Sequence, residues 1–481
     1  MNLKLILRVL GFLLFVEGVA IFLALLVSII YNEHDLKAFV ISSAIPLIIG
    51  SILLVFTRKV DRDIGKREGF IIVSSVWVIF SLFGSLPYIL SGSIPNFTNA
   101  FFETISGFTT TGSSVLNNIE TLPHGVLFWR SFTQWLGGMG IIVLSLAILP
   151  VFGIGGMQLF MAEVPGPSPD KISPRIRQTA KTLWIIYLGF TVSETILLWI
   201  GGMSLFDAVC HSFTTMATGG FSTKQASIGY WDSPFIHYVI IIFMFFAGTN
   251  FTLSYIVLKG KFNQTFKDEK FKYYFLFVTG FTAIIFVGLI ISNNLGWEKA
   301  FRDSLFQVVS IITTTGYATA DYLTWIPVLT IVIFALFFFG GSAGSTGGGI
   351  KIMRIVLLLK NSYYELRRMV HPNAVIPVRF NKHSVDSKII TNVLAFFMLY
   401  FIIFGFSSVI FTFIEPDMES SMGAVATCLG NIGPGLGNFG PSGNFMHVTS
   451  LGKWFLSFLM LLGRLELFTV LVLFSPTFWK E

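Results

Sequence analysis

Apolar residues fall in long runs along this chain, and the runs recur in a fixed order. Two come first, at Leu3–Ile30 and 38–56. A polar link at 57–68 follows. After it, one pattern appears four times: a long run, a short segment of 10 to 14 residues, a glycine hinge, and a second long run. The long runs occupy 70–90 and 126–152, 183–200 and 235–258, 274–291 and 326 onward, and 389–414 and 451–474. A helix crossing a bilayer needs about 20 mostly apolar residues. The runs meet that length. The short segments, at 98–108, 205–216, 299–312 and 420–429, do not. They read as re-entrant half-helices, because irregular backbone at membrane depth survives only where protein buries it or water lines it. The first run is too long for the apolar core of a signal peptide, so it reads as the first span.

The hinges share a pattern. Thr109-Thr110-Thr111-Gly112 has a near copy in Thr313-Thr314-Thr315-Gly316. Ala217-Thr218-Gly219-Gly220 is a looser echo, and Gly430-Asn431-Ile432-Gly433 is further diverged. Taking Gly112, Gly220, Gly316 and Gly433 as hinge glycines, the spacings are 108, 96 and 117 residues. Near-equal spacing in one order predicts four parallel copies around an axis along the membrane normal. The fold class is an all-α polytopic membrane protein, with two extra helices ahead of four repeats. The divisions are 1–68, 69–152, a linker at 153–180, 181–260, 271–370 and 386–481. Pro165, Pro167 and Pro169 stiffen that linker.

Each half-helix points its C-terminal carbonyls inward, and that end carries about half a negative charge. Four glycine-hinged strands meeting on one axis present carbonyl rings to a dehydrated cation. A cation pore is therefore the reading. In residues 340–351, Gly340, Gly341, Gly344, Gly347, Gly348 and Gly349 interrupt an apolar run just before Lys351. Glycine is costly inside a helix. The stretch reads as a flexible intramembrane loop beneath the filter or as a tight helix-packing patch. It is not a phosphate-binding loop, because Ile350 separates Gly349 from Lys351. Arg464 lies within the last run, where a charge must face protein or water. It reads either as a barrier to cations, with Lys351 adding to it, or as a partner of Glu466 or of loop carbonyls. Glu17 and Glu194 are intramembrane carboxylates open to a packing or a functional role.

Composition narrows the classes. The chain is 54% hydrophobic and 12% charged, with 53 Phe. Soluble proteins average about 25% charged residues, so the main solvent here is lipid. One side of the predicted topology gathers 25 of the 32 Lys and Arg, which marks it, and both termini with it, as cytoplasmic. The other side carries more acid than base, including Glu103, Asp207, Glu298, Asp321 and Asp417, and an acidic vestibule concentrates cations. Cys210 and Cys428 make no disulfide framework. The seven His are scattered without metal-ligand spacing, which argues against an enzyme. Nothing points to nucleic acid or to an organic cofactor.

The hinges, the glycine loop and Arg464 together resemble the TrkH/KtrB family of potassium transporters, the TrkH type in particular. The resemblance rests on Thr109 to Gly112, Ala217 to Ser222, Thr313 to Tyr317, Gly430 to Gly435, Gly340 to Lys351 and Gly463 to Phe468. It implies potassium ions held in a filter by Thr111, Gly112, Gly219, Gly220, Thr315, Gly316, Ile432 and Gly433. It implies a gate formed by Gly340 through Gly349, a barrier at Arg464, a homodimer in the bacterial inner membrane, and a cytoplasmic TrkA-type nucleotide-binding ring. Whether Gly219 or Gly220 is the second hinge is open, with Phe221 favouring Gly220 as Tyr317 follows Gly316. Gly112 stands where sodium-passing relatives carry serine. Sodium- or proton-coupled symport on the same fold, with Glu17, Glu194 or Glu466 as relay, is the alternative.

Overall fold

The computed structural model describes residues 2–58, 65–140, 176–293, 295–374 and 376–480. The linker segment 153–175, with its prolines, and the end of the first repeat's second run, 141–152, lie outside the described residues. Among the described residues the architecture is helical, with one small antiparallel hairpin pairing Arg379–Phe380 with His383–Ser384.

Among the described residues, six helices are long and apolar enough to cross a membrane: Leu3–Ile30, Leu36–Phe56, Arg67–Leu90, Ala180–Ile200, Glu269–Ser292 and Ser387–Thr412. Their outer faces expose Ile30, Phe56, Ile200, Ile291 and Phe413. In water such faces would drive association; in a bilayer they meet hydrocarbon. The two leading helices pack through small residues. A Cβ at Gly50 would sit 2.6 Å from the Gly11 carbonyl oxygen. Close backbone approach over glycine is how helices gain contact where no water drives them together.

The four short segments are helices, Phe97–Phe108, Leu205–Met216, Trp297–Ile312 and Met418–Gly430. Their starts are written locally. Asn96, Ser204 and Asp417 each accept a backbone N–H of the first turn, at 3.1, 3.0 and 2.9 Å, which satisfies donors the helix cannot. The third starts at Gly296 without a side-chain cap.

Among the described residues, the second long run departs from a straight span in the second, third and fourth repeats. The run at 235–258 is two helices, Pro234–Ala247 and Phe251–Leu258, bent by 109°. Asn250 caps the new helix by accepting Thr252 N–H at 2.8 Å. The run at 451–474 breaks by 111° between Ser450–Arg464 and Phe468–Phe474. Glu466 (φ 56°) and Leu467 (φ 53°) turn the chain there. In the third repeat, Pro327–Leu336 is separated by the glycine loop from Ile352–Val370. In the first, His124–Gly138 ends just before Gly140 at φ 64°. Hydropathy reads the apolar run and not its direction, so these corners escape it.

Candidate functional site

Each short helix ends in a backbone turn that glycine alone would adopt freely. Thr110, Thr218, Thr314 and Asn431 lie in the left-handed region, at φ 53°, 56°, 59° and 54°. Two residues on, Gly112, Gly220, Gly316 and Gly433 have φ 85°, 76°, 80° and 106°. The residue between is pinned the same way in every repeat. The N–H of Thr111, Gly219, Thr315 and Ile432 donates to the carbonyl five residues back, on Ser106, Thr214, Ser310 and Thr427, at 2.8 to 3.0 Å. This equivalence places Gly220, not Gly219, in the hinge position of the second repeat. A β-branched residue at positive φ is costly, and three aligned threonines there mark a conformation the surroundings impose.

The four turns touch in sequence and close on themselves. A Cβ on Gly112 would run into the Gly219 carbonyl oxygen. One on Gly220 would meet that of Thr315, and one on Gly316 that of Ile432. One on Gly433 would lie 2.9 Å from the Thr111 carbonyl oxygen. The order is first to second, second to third, third to fourth, fourth to first. Four backbone segments thus form one ring, with the first and third repeats on opposite sides. Side chains brace it from behind. The Thr111 hydroxyl meets Thr109 at 2.8 Å and accepts Asn431 Nδ2 at 2.9 Å. Thr315 meets Thr313 at 2.8 Å.

The glycine loop lies directly against this ring. Gly348 N–H donates to the Thr314 hydroxyl at 2.7 Å. Gly347 packs on the Thr313 carbonyl, and Gly348 on that of Gly430. The loop's ends form one parallel bridge, Gly340 with Lys351. Its middle is tied to the corner of the second repeat: Asn250 Nδ2 donates to Ala343 O at 2.6 Å, and Ser342 N–H to Gly248 O at 2.8 Å. Lys351 Nζ turns back onto the Gly347 carbonyl and is buried.

Arg464 closes the assembly. It stands at the last helical position before the 111° corner rather than mid-span. Its guanidinium donates to Thr346 O of the loop at 2.7 Å, to the Thr110 hydroxyl at 3.1 Å and to Gly137 O at 2.6 Å. Glu466 does not pair with it; that carboxylate takes Arg354, whose guanidinium also stacks on Phe396 at 4.0 Å.

The family model described as "TrkH: Cation transport protein" matches residues 35–481. The chain belongs to the TrkH family. A protein described as Trk system potassium uptake protein TrkH, from Escherichia coli K12, is 42% identical over 100% of both chains. The protein of the same description from Halomonas elongata is 40% identical, again over 100% of both. Trk system potassium uptake protein TrkG of Escherichia coli K12 is 34% identical over 98% of this chain and 97% of its own. The crystal structure of the potassium transporter TrkH from Vibrio parahaemolyticus matches with a TM-score of 0.90 at 38% identity, covering 100% of both chains. Membership in this family makes the chain a membrane transport protein and not an enzyme.

The structure joins the TrkH-type residues in one connected cluster: the eight hinge residues form the ring, Gly347 and Gly348 pack against its base, Lys351 turns back onto Gly347, and Arg464 ties the loop to Thr110. Glu17 and Glu194, in Leu3–Ile30 and Ala180–Ile200, are buried outside the ring, Glu17 beside Gly84 and Glu194 against Thr215 of the second short helix. The structure also recasts part of the acidic face. Glu103 is fully buried, paired with Arg130 at 2.6 Å, and accepts Val115 N–H at 2.9 Å. Glu298 pairs with Arg302, and Asp417 is a helix cap whose acidity its Ser420 contacts increase. Glu103 thus holds a turn from inside the protein, whereas Glu298 and Asp417 remain exposed at the starts of their helices. Sequence reading missed Gln134, Asn250 and Arg354, each an unremarkable polar residue whose partner lies in a different repeat.

Proposed function

We propose that the chain takes potassium into the cell through the central ring. The closed cycle of hinge glycines against neighbouring carbonyls carries this reading. Thr111, Gly112, Gly219, Gly220, Thr315, Gly316, Ile432 and Gly433 supply the carbonyls that replace the ion's hydration shell. Four half-helix C-termini add negative potential at the same level. A residue beyond Cβ at a hinge glycine would collide with the next repeat, so the ring's dimensions are set by backbone.

Below the ring, the loop 340–349 obstructs the path, and Arg464 fastens it to Thr110 and Gly137. A fixed positive charge there repels cations while the loop is in place. Opening moves the loop off the Thr314 hydroxyl and releases Arg464. The relatives' description as parts of a Trk system supports a cytoplasmic TrkA-type nucleotide-binding ring as the element that drives this. The working form is a homodimer in the bacterial inner membrane, with both termini cytoplasmic. Inward flux follows the membrane potential, about 2.3 kcal/mol per charge for each 100 mV.

Two measurements test this. The gene should restore growth of an uptake-deficient bacterium on low potassium when the partner is supplied. The purified protein in lipid should reverse near the potassium equilibrium potential. No rescue despite membrane expression, or reversal near zero under opposed potassium and sodium gradients, would overturn it. Coupled symport has in its favour the two fully buried intramembrane carboxylates, Glu17 and Glu194. Flux unchanged across pH and without sodium would dismiss it.

A further inference from the structure

The four ring residues are not alike behind the backbone. Thr111, Thr315 and Ile432 each carry a side chain that packs behind the ring, and Gly219 carries none. The vacancy is filled from another repeat. A Cβ built on Gly219 would fall within 3 Å of Cδ, Oε1 and Nε2 of Gln134, and of nothing nearer. Gln134 belongs to the helix His124–Gly138 of the first repeat and is fully buried. Its amide grips the second hinge at two points. Nε2 donates to the Gly219 carbonyl oxygen at 2.6 Å, and Oε1 accepts Phe221 N–H at 3.0 Å. The two contacts bracket Gly220.

Among the described residues, Gly219 is the one of these four equivalent residues whose carbonyl receives a side-chain donor; in the hinge-glycine layer above it, the Ser113 hydroxyl donates to Gly433 O at 3.2 Å. A carbonyl oxygen has two lone pairs, so one remains for an ion. We propose that Gln134 is a surrogate side chain for the second repeat and a specificity-determining positioning residue. It fixes the Gly219 carbonyl at the radius that suits potassium and stops it from closing on the smaller sodium ion. The inference rests on the ring being the filter.

The two-point grip favours a selectivity role over simple filling. The hinge is held at both flanks of Gly220, which is the residue whose φ of 76° sets the direction of the carbonyls around it. Filling alone would need neither the donor nor the acceptor. Gly219 itself is outside the left-handed region, so a side chain is conformationally allowed there once Gln134 makes room.

The test uses full-length protein in lipid and reads the potassium-to-sodium permeability ratio from reversal potentials. Gln134→Met keeps the volume and removes both hydrogen-bonding groups. Its ratio is expected to fall on the order of fivefold, the scale of one lost neutral hydrogen bond, with conduction retained. Gly219→Thr alone should conduct poorly, because its side chain meets Gln134. Gln134→Ala combined with Gly219→Thr should recover the wild-type ratio, since the repeat then carries its own side chain. A wild-type ratio in Gln134→Met would overturn the proposal. If that variant fails to accumulate, the double variant decides: a wild-type ratio supports the surrogate role, and a lowered ratio or no accumulation refutes it. An unselective wild-type chain would instead refute the filter reading itself.

Discussion

At the scale of single residues, the turns at the ring are under backbone strain, and the strain is unevenly spread. Asn431 tolerates its left-handed conformation well, whereas Thr110, Thr218 and Thr314 do not; such residues cost about 1–3 kcal/mol each. The Thr110 and Thr314 hydroxyls hold Arg464 and Gly348. Among the described residues, the Thr218 hydroxyl bonds only to the carbonyl beside it, on Ala217, at 2.6 Å. Thr218→Asn is therefore expected to stabilise the protein by about 1 kcal/mol, seen as a higher melting temperature in detergent; an equal or lower one would refute the strain account. Gly316→Ala goes the other way. It adds a Cβ at φ 80° directly against the Ile432 carbonyl. Potassium-supported growth should be lost while the protein remains in the membrane, and retained growth would show that the ring is looser than drawn. Gly112→Ser should weaken the preference for potassium over sodium, and an unaltered permeability ratio would contradict that hinge's role. These glycines were legible because only glycine combines positive φ with such close backbone approach. Gln134 was not, because its partner lies 85 positions away and nothing around it in the chain differs from an ordinary helix.

At the scale of elements, the half-helices announced themselves through length, caps and position ahead of a glycine. The corners in the second helices of the second and fourth repeats did not. Gly248-Thr249-Asn250 and Leu465-Glu466-Leu467 sit inside runs whose hydropathy never drops for long. A period of apolar residues reports burial and says nothing of a helix turning through a right angle. Those corners give the glycine loop and Arg464 their place. Arg464→Ala, and separately deletion of 344–348, should raise flux; unchanged or lower currents in both would refute the obstruction. The Arg354–Glu466 pair joins the corner of the fourth repeat to the helix that follows the loop. Its side chains are only 10% and 23% exposed. Removing one partner of a shielded pair costs about 3–5 kcal/mol, so Arg354→Met should lower thermal stability sharply. Adding Glu466→Gln to it should cost less than the two single changes summed, and full additivity would dissolve the coupling.

For the whole molecule, the four repeats enclose the ring and the two leading helices pack outside it. Both cysteines are buried, so single exposed cysteines on the natural background will report sidedness. His34→Cys and Asn444→Cys should react with an impermeant reagent from outside the cell, and His371→Cys only after lysis. Labelling of all three from one side would overturn the assigned topology. The ring closes through contacts between the ends of the chain. Asn431 reaches Thr111, and the Ser113 hydroxyl donates to Gly433 O at 3.2 Å, across 320 residues. A nascent polypeptide emerging from the ribosome therefore holds three quarters of the passage in the bilayer, with its polar turns unmatched, until translation is nearly done. Shielding those turns during that interval falls to the insertion machinery or to neighbouring helices. A chain that stops before Gly430 lacks the fourth segment, and the ring stays open on the side where Gly433 would meet Thr111.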